Sequence, residues 1–225
     1  MANILELIDK KDNFEIVRDE IAAILAVEKE NQKVLAAADG QDPDLWNFDV
    51  YAERSSPWEL VEDSEGKIVA DTPLVNVFFD SASSNAAGSN NIEQQLMEGT
   101  FTVDCVAAMT HRKAEGETFQ HADELAAKEA QRIIRLVRNI LMAGSYTYLG
   151  MRGVVLSREI QNIAMFQPQI NDRPAEHVMV ARLQLKVQYY EFSPQAEPEE
   201  LELMSAQCIN SDGKVLFRTD YDYTE

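Results

Sequence analysis

Thiols, imidazoles and basic charge are all scarce in this chain. Its only cysteines are Cys105 and Cys208, and its only histidines are His111, His121 and His177. Two thiols make no disulfide framework, so reduced, packed cysteines in a cytosolic compartment are expected. Three histidines without a Cys-x-x-Cys pair, a His-Glu-x-x-His helix or a calcium-loop pattern supply no zinc or calcium signature, so no metal and no cofactor is expected. His111 and His121 lie at the two ends of a turn-rich connection and read as exposed loop histidines, a metal pair being the alternative. No apolar run approaches the length of about 18 residues that a spanning helix needs. The first residues, Met1-Ala2-Asn3-Ile4-Leu5-Glu6, lack the basic start and apolar core of a signal peptide, so none is expected.

Basic residues are outnumbered, 20 Lys and Arg against 39 Asp and Glu, for a formal net charge of -19. Such a balance repels phosphate surfaces at long range and argues against gripping nucleic acid or an anionic membrane. It fits either simple solubility or a surface that faces DNA without holding it. Against this background four cations stand out. Lys128, Arg132, Arg135 and Arg138 follow one another at steps of four, three and three within a helical pattern, so they share one face. That stripe is either a solvated face satisfied by Glu124 and Glu129 or an interface for an acidic protein surface, which arginine's planar fork and apolar stem suit.

With 225 residues, 45% of them apolar, the chain can bury a full core. Phe14, Val17, Ile21, Ile24, Leu25 and Leu35 recur at helical spacing and predict a helix from about Asp12 to Ala38, capped by Asp12 or Asn13 and ended by Asp39-Gly40. A strand is predicted from Trp46 to Glu53 and a short one over Trp58 to Val61, followed by a turn at Asp63-Ser64-Glu65-Gly66. Leu74 to Phe79 reads as a central strand. Asp80 to Asn91 reads as a long polar loop, with Ser81, Ser83, Asn85, Gly88 and Asn90 as candidate functional positions, because long loops in compact domains are often functional. Thr100 to Met109 is a strand with Phe101, Val103 and Cys105 on one side.

Thr118 to Ala143 is the clearest helix, with Leu125, Ala126, Ala130, Ile133, Ile134, Val137, Ile140 and Leu141 forming its apolar stripe. Val154 to Phe166 and His177 to Phe192 are long strands, the second with its alternation broken near Ala181. After a linker at Ser193 to Pro198, Leu201 to Ile209 and Lys214 to Thr219 flank Asn210-Ser211-Asp212-Gly213 as a hairpin, ahead of an acidic tail. The implied architecture is α+β: a mainly antiparallel central sheet flanked by two long helices, with a C-terminal β-hairpin. Residues 1–192 are expected to form one domain and 193–225 the linker, hairpin and tail.

Catalytic patterns are missing. There is no Gly-x-Ser-x-Gly elbow, no phosphate-cradling loop, and no carboxylate pair that the sequence singles out. Cys105 alternates with apolar neighbours, as a packed thiol does. The expectation is a chain that is not an enzyme.

From Thr72 to Phe192 the order of elements resembles the tail terminator (tail-completion) proteins of tailed bacteriophages. The resemblance is carried by the strand Val75-Asn76-Val77-Phe78-Phe79, the polar loop, and the strand Gly99-Thr100-Phe101-Thr102-Val103-Asp104-Cys105. The helix from Ala122-Asp123-Glu124-Leu125-Ala126 to Leu136-Val137-Arg138-Asn139-Ile140-Leu141 and the late strand Ala181-Arg182-Leu183-Gln184-Leu185-Lys186-Val187 complete it. It covers roughly half the chain and consists of pattern matches, with no invariant signature.

The resemblance implies a virion structural protein of the tail and neck, assembled in the host cytoplasm into a ring of six copies. That ring would cap the head-proximal end of the tail tube, end tube polymerisation and dock to the head-side connector or adaptor. Implied partners are further copies of the chain, the tail tube protein and the connector, with DNA passing through the lumen unheld and no membrane. No catalytic residues belong to the family. The N-terminal helix, the Trp46–Gly66 region and the C-terminal hairpin exceed compact members. They keep open a related head–tail adaptor or a neck protein contacting the sheath protein; an enzyme using acidic residues and a metal such as magnesium is a separate, more distant alternative.

Overall fold

A computed structural model describes residues 8–61, 65, 67–69, 72–84, 94–112, 119–170, 177–192 and, as backbone, 173–174, 203–209 and 215–222. The elements are two helices, α1 (Asn13–Ala38) and α2 (Ala122–Leu141), and nine strands. These are β1 (Asp49–Ala52), β2 (Leu74–Ser84), β3 (Gln94–Ala108), β4 (Val155–Phe166), β5 (Gln169–Ile170), β6 (Arg173–Pro174), β7 (Val178–Phe192), β8 (Leu203–Ile209) and β9 (Val215–Asp222). The class is α+β. The main sheet has the order β1-β2-β3-β7-β4. It is mixed, not mainly antiparallel as expected, because β1 runs parallel to β2 while the other three pairs are antiparallel. β3, not β2, is its middle strand. β8 and β9 pair antiparallel as a separate two-stranded sheet, and β5 and β6 as another.

Both helices cover one face of the sheet. Val17, Ile21, Ile24 and Leu25 of α1 and Ala130, Ile133, Ile134 and Val137 of α2 pack on Val75, Val77, Phe101, Val103, Cys105, Leu183, Leu185 and Val187. The start of α1 follows its sequence: the Glu15 carboxylate accepts from the Asp12 N–H at 3.2 Å, one arm of a capping box. Glu191 at the end of β7 accepts from the Asn13 N–H at 3.0 Å, and the Asn13 side chain donates to the Tyr190 carbonyl at 2.6 Å. Gly40, at φ +72°, takes the left-handed turn that ends α1. Leu35, assigned to the apolar stripe, is instead 52% exposed, while its neighbour Ala36 is the buried residue of that turn.

A second, smaller core lies on the opposite face. Val61, Leu74, Val106, Ala108, Ile170, Val178 and Val180 pack there with Trp58, Leu60 and Phe166. This explains the broken alternation in β7. Val178 and Val180 face the second core, whereas Ala181 and Leu183 face the helices, so neighbouring residues are buried on both sides of the sheet.

Three local expectations are corrected. Pro57–Leu60 is a 3-10 turn and not a strand. Proline at its start fixes a helical φ and offers no N–H to a ladder. The strand expected from Trp46 shrinks to Asp49–Ala52, since Pro43–Trp46 is a second 3-10 turn in which the Asp42 side chain accepts from the Asp44 N–H at 3.0 Å. The region read as a polar loop from Asp80 is β2 as far as Ser84, paired with β3. The turn at 63–66 lies outside the described residues except for Glu65, and so do Thr118, the linker at 193–198 and the turn at 210–213. The position capping α2 is occupied by His121.

Candidate functional site

The basic stripe on α2 divides into two halves. Lys128 pairs with Glu124 one turn back, and Arg132 lies against Glu129 through both Nε and Nη2. These two cations are satisfied by acids of their own helix. Arg135 is exposed with no ion pair among the described residues, and Arg138, also exposed, reaches only the Asn139 side-chain oxygen at 3.3 Å. The cations left over are therefore Arg135 and Arg138.

The candidate loop positions fare differently. Ser81 and Ser83 are exposed residues of β2, opposite Thr100 and Glu98 of β3. Asn85, Gly88 and Asn90 lie outside the described residues. Nothing places the two serines near the arginines; β2 and β4 are separated in the sheet by β3 and β7.

Beside Arg135 and Arg138 lies a feature that the sequence did not single out. β4 is twelve residues long and ends the sheet, with no strand on its outer side among the described residues. Apolar rows cross the sheet in register: Val75, Cys105, Ala181 and Met165 form one, and Val77, Val103, Leu183 and Ile163 the next. Their first three members are fully buried under the helices, but on β4 Met165 is 36% and Ile163 45% exposed. The cover thins at this end of β4, whereas Val155 and Ile160 nearer its start stay packed on the main core. Helix α2 is tied to β4 at its middle and at its C-terminal end. Gln131 donates to the Met165 sulfur at 3.4 Å, and Arg158 donates to the carbonyls of Leu141 and Ala143, the latter at 2.7 Å. Arg135 and Arg138 follow Gln131 at i+4 and i+7, so they project from the stripe of α2 that borders this uncovered edge.

The other polar concentration is a groove of about 530 Å³ lined by His111, Asp123, Glu124, Ala127, Gln167, His177 and Met179. Two of the chain's three histidines, His111 and His177, line it, and the third, His121, lies beside His111. The His111 ring lies 5.3 Å from that of His177 and 6.0 Å from that of His121, centroid to centroid, and stacks on Phe119 at 5.4 Å. Sequence reasoning put His111 and His121 at two ends of a connection and left His177 aside; the isolated bridge Arg112↔Gln120 and the start of β7 bring them together. His111 Nδ1 accepts from the Ala122 N–H at 3.1 Å. A neutral imidazole bonded in this way carries its proton on Nε2 and has no free lone pair for a cation. Among the described residues no three His, Cys, Asp or Glu side chains are arranged to hold a metal ion.

Cys105 is buried among apolar side chains, and burial pushes its thiol well above the ordinary range, which makes it a packing residue. No helix among the described residues is long and apolar enough to cross a membrane. No protein-family model matches the chain, and comparison with curated proteins finds no match either.

Proposed function

We propose that this chain is a self-assembling structural subunit of a tailed-phage virion, a tail terminator that closes into a ring on the head-proximal end of the tail tube. The observation that carries the reading is the uncovered β4 edge. Core rows run out into solvent there, beside two arginines without carboxylate partners among the described residues, in a chain of net charge -19. An edge of this length, left unpaired, is an aggregation hazard unless a partner or a covering segment meets it. A ring needs a heterologous contact in which one patch of each copy meets a different patch of the next, with a rotation that closes. Strand addition at an edge supplies directional main-chain bonds for such a contact. The resemblance over Thr72–Phe192 selects the tail terminator among ring-forming proteins. The acid excess suits a lumen through which phosphates pass without finding cationic partners.

The reading is tested by mixing the protein with tail tube protein and measuring assembly mass and negative-stain images. Rings of six copies at one end of each tube are expected. Binding to connector protein and not to tubes would instead identify a head–tail adaptor, and binding to sheath protein a sheath-contacting neck subunit. The histidine groove is the place where an enzyme reading would have to stand. A metal-dependent rise in melting temperature that is abolished by His177→Ala would favour it.

A further inference from the structure

The β4 edge needs an occupant, and the chain itself carries a matching one. β8 and β9 form a hairpin of two strands that pairs with nothing else among the described residues. Two strands alone are marginal in water, and a third strand or a packed face is what makes such a hairpin stable. Among the described residues β4 has no neighbour on its outer side. Its two bulges fall at Val155/Ser157 and Ile160/Asn162, which leaves Asn162–Phe166 as a regular run with Ile163 and Met165 exposed on it.

Charge points the same way. The stretch leading into the hairpin, residues 193–202, contains Glu197, Glu199, Glu200 and Glu202 and no basic residue, and β9 ends with Asp220 and Asp222. The surface flanking β4 offers Arg135 and Arg138, the two cations that α2 does not neutralise. Ten connecting residues can span roughly 33 Å when extended. That reach would let the hairpin meet its own β4, yet within one chain it remains a separate sheet.

We infer that the C-terminal hairpin, residues 203–222, adds as a strand pair to the outer edge of β4 in a second copy, with the acidic lead-in segment against that copy's Arg135 and Arg138. Each copy then gives a hairpin and receives one, which is a head-to-tail contact. The inference deepens the proposed ring and rests on self-assembly, but not on the tail tube.

Cross-linking tests it, because Cys208 lies on β8 and Cys105 is buried. One copy carries Ile163→Cys with Cys208→Ser, the other is the unaltered chain, and the mixture is treated at high concentration with a short bis-maleimide. A covalent pair joining position 163 of one copy to Cys208 of the other is expected. Arg135→Glu with Arg138→Glu should lower its yield by about tenfold, the loss that corresponds to weakening the contact by one decade. Ile163→Cys at an exposed position should leave the melting temperature unchanged, so a failed fold is recognisable. In a separate sample whose chain carries Ile163→Cys and keeps Cys208, a product joining the two positions within a single chain, in place of the covalent pair, would overturn the inference by assigning the edge to the chain's own hairpin. The absence of any 163–208 product would overturn it as well. If the covalent pair forms but no ring caps a tube, the tail assignment fails and this contact stands; if rings form without it, only this contact fails.

Discussion

Arg182 and Asp104 stand opposite each other on β7 and β3, and their environments differ sharply. The Asp104 carboxylate is 1% exposed and accepts from Arg182 Nε at 2.7 Å and Nη2 at 2.8 Å, while the guanidinium also lies 4.9 Å over the Phe166 ring. The geometry is the bidentate fork of arginine with carboxylate. Removing the cation strands a buried anion, so Arg182→Ala should destabilise by about 3 kcal/mol, read from chemical denaturation. A loss under about 1 kcal/mol would show that water solvates Asp104. In the sequence, Asp104 looked like the outward member of an alternating strand. That same face carries the second core, with Trp58 and Leu60 packed on it, which no local pattern reveals.

A second residue pair gives a pH signature. The Tyr146 hydroxyl donates to the Glu28 carboxylate at 2.6 Å, joining the segment after α2 to α1. That bond holds the Glu28 carboxyl below its ordinary range and raises the Tyr146 hydroxyl to about 12. A depressed carboxyl adds stability above its unfolded value of about 4.3 and loses it as pH falls. A raised phenol adds stability below its unfolded value of about 10 and loses it as pH rises through its folded value. Tyr146→Phe should therefore cost under about 1 kcal/mol, given partial solvent exposure, across the window between those two unfolded values. The cost should shrink on both sides of the window in a series of melting temperatures against pH. A cost that continued undiminished into acid would contradict the pairing.

Among the elements, the two long helices were the most legible in the sequence. Val17, Ile21, Ile24 and Leu25, and later Ala126, Ala130, Ile133 and Val137, recur at a period that only a helix satisfies, and all are buried. The hairpin β8–β9 was legible from its turn residues, and the long strands from their β-rich runs. Short apolar runs were ambiguous, since Pro57-Trp58-Glu59-Leu60 suits a 3-10 turn as well as a strand. The parallel pairing of β1 with β2 was illegible because it depends on where the intervening segment crosses the sheet.

The packing of β3 on β7 makes its own demand. A Cβ on Gly99 would lie 2.8 Å from Tyr189 Cε1 and 3.1 Å from Phe101 Cε2, both fully buried rings in the core. Gly99→Ala should cost about 1 to 3 kcal/mol in thermal or chemical unfolding. A neutral result would mean that these rings have room to move. The edge surface was the least legible element. The sequence predicts a strand from Val154 to Phe166, and only the sheet order shows that this strand is an edge, with Ile163 and Met165 part-exposed on it.

For the molecule as a whole, charge and cover decide the argument. The sequence singled out four cations as one stripe. The structure neutralises Lys128 and Arg132 through Glu124 and Glu129, which leaves Arg135 and Arg138 as the pair facing outward. Reversing both to Glu should reduce association strongly and leave the fold intact, because neither makes an ion pair among the described residues that the reversal would break. Reversing Arg132 would also set it against Glu129, so it is a poorer probe of assembly. Sedimentation of the double variant beside the unaltered chain, with melting curves for both, separates the two effects. Equal association of the two proteins would place these arginines in solvent.

Self-assembly at the end of a tube is what the proposed role requires, and imaging of purified protein mixed with tail tube protein addresses it most directly. The expected result is a ring of six copies seated at one end of each tube, with tube length no longer increasing once it is bound. A chain that stays monomeric at every concentration and leaves the tubes bare and growing would contradict the proposed role.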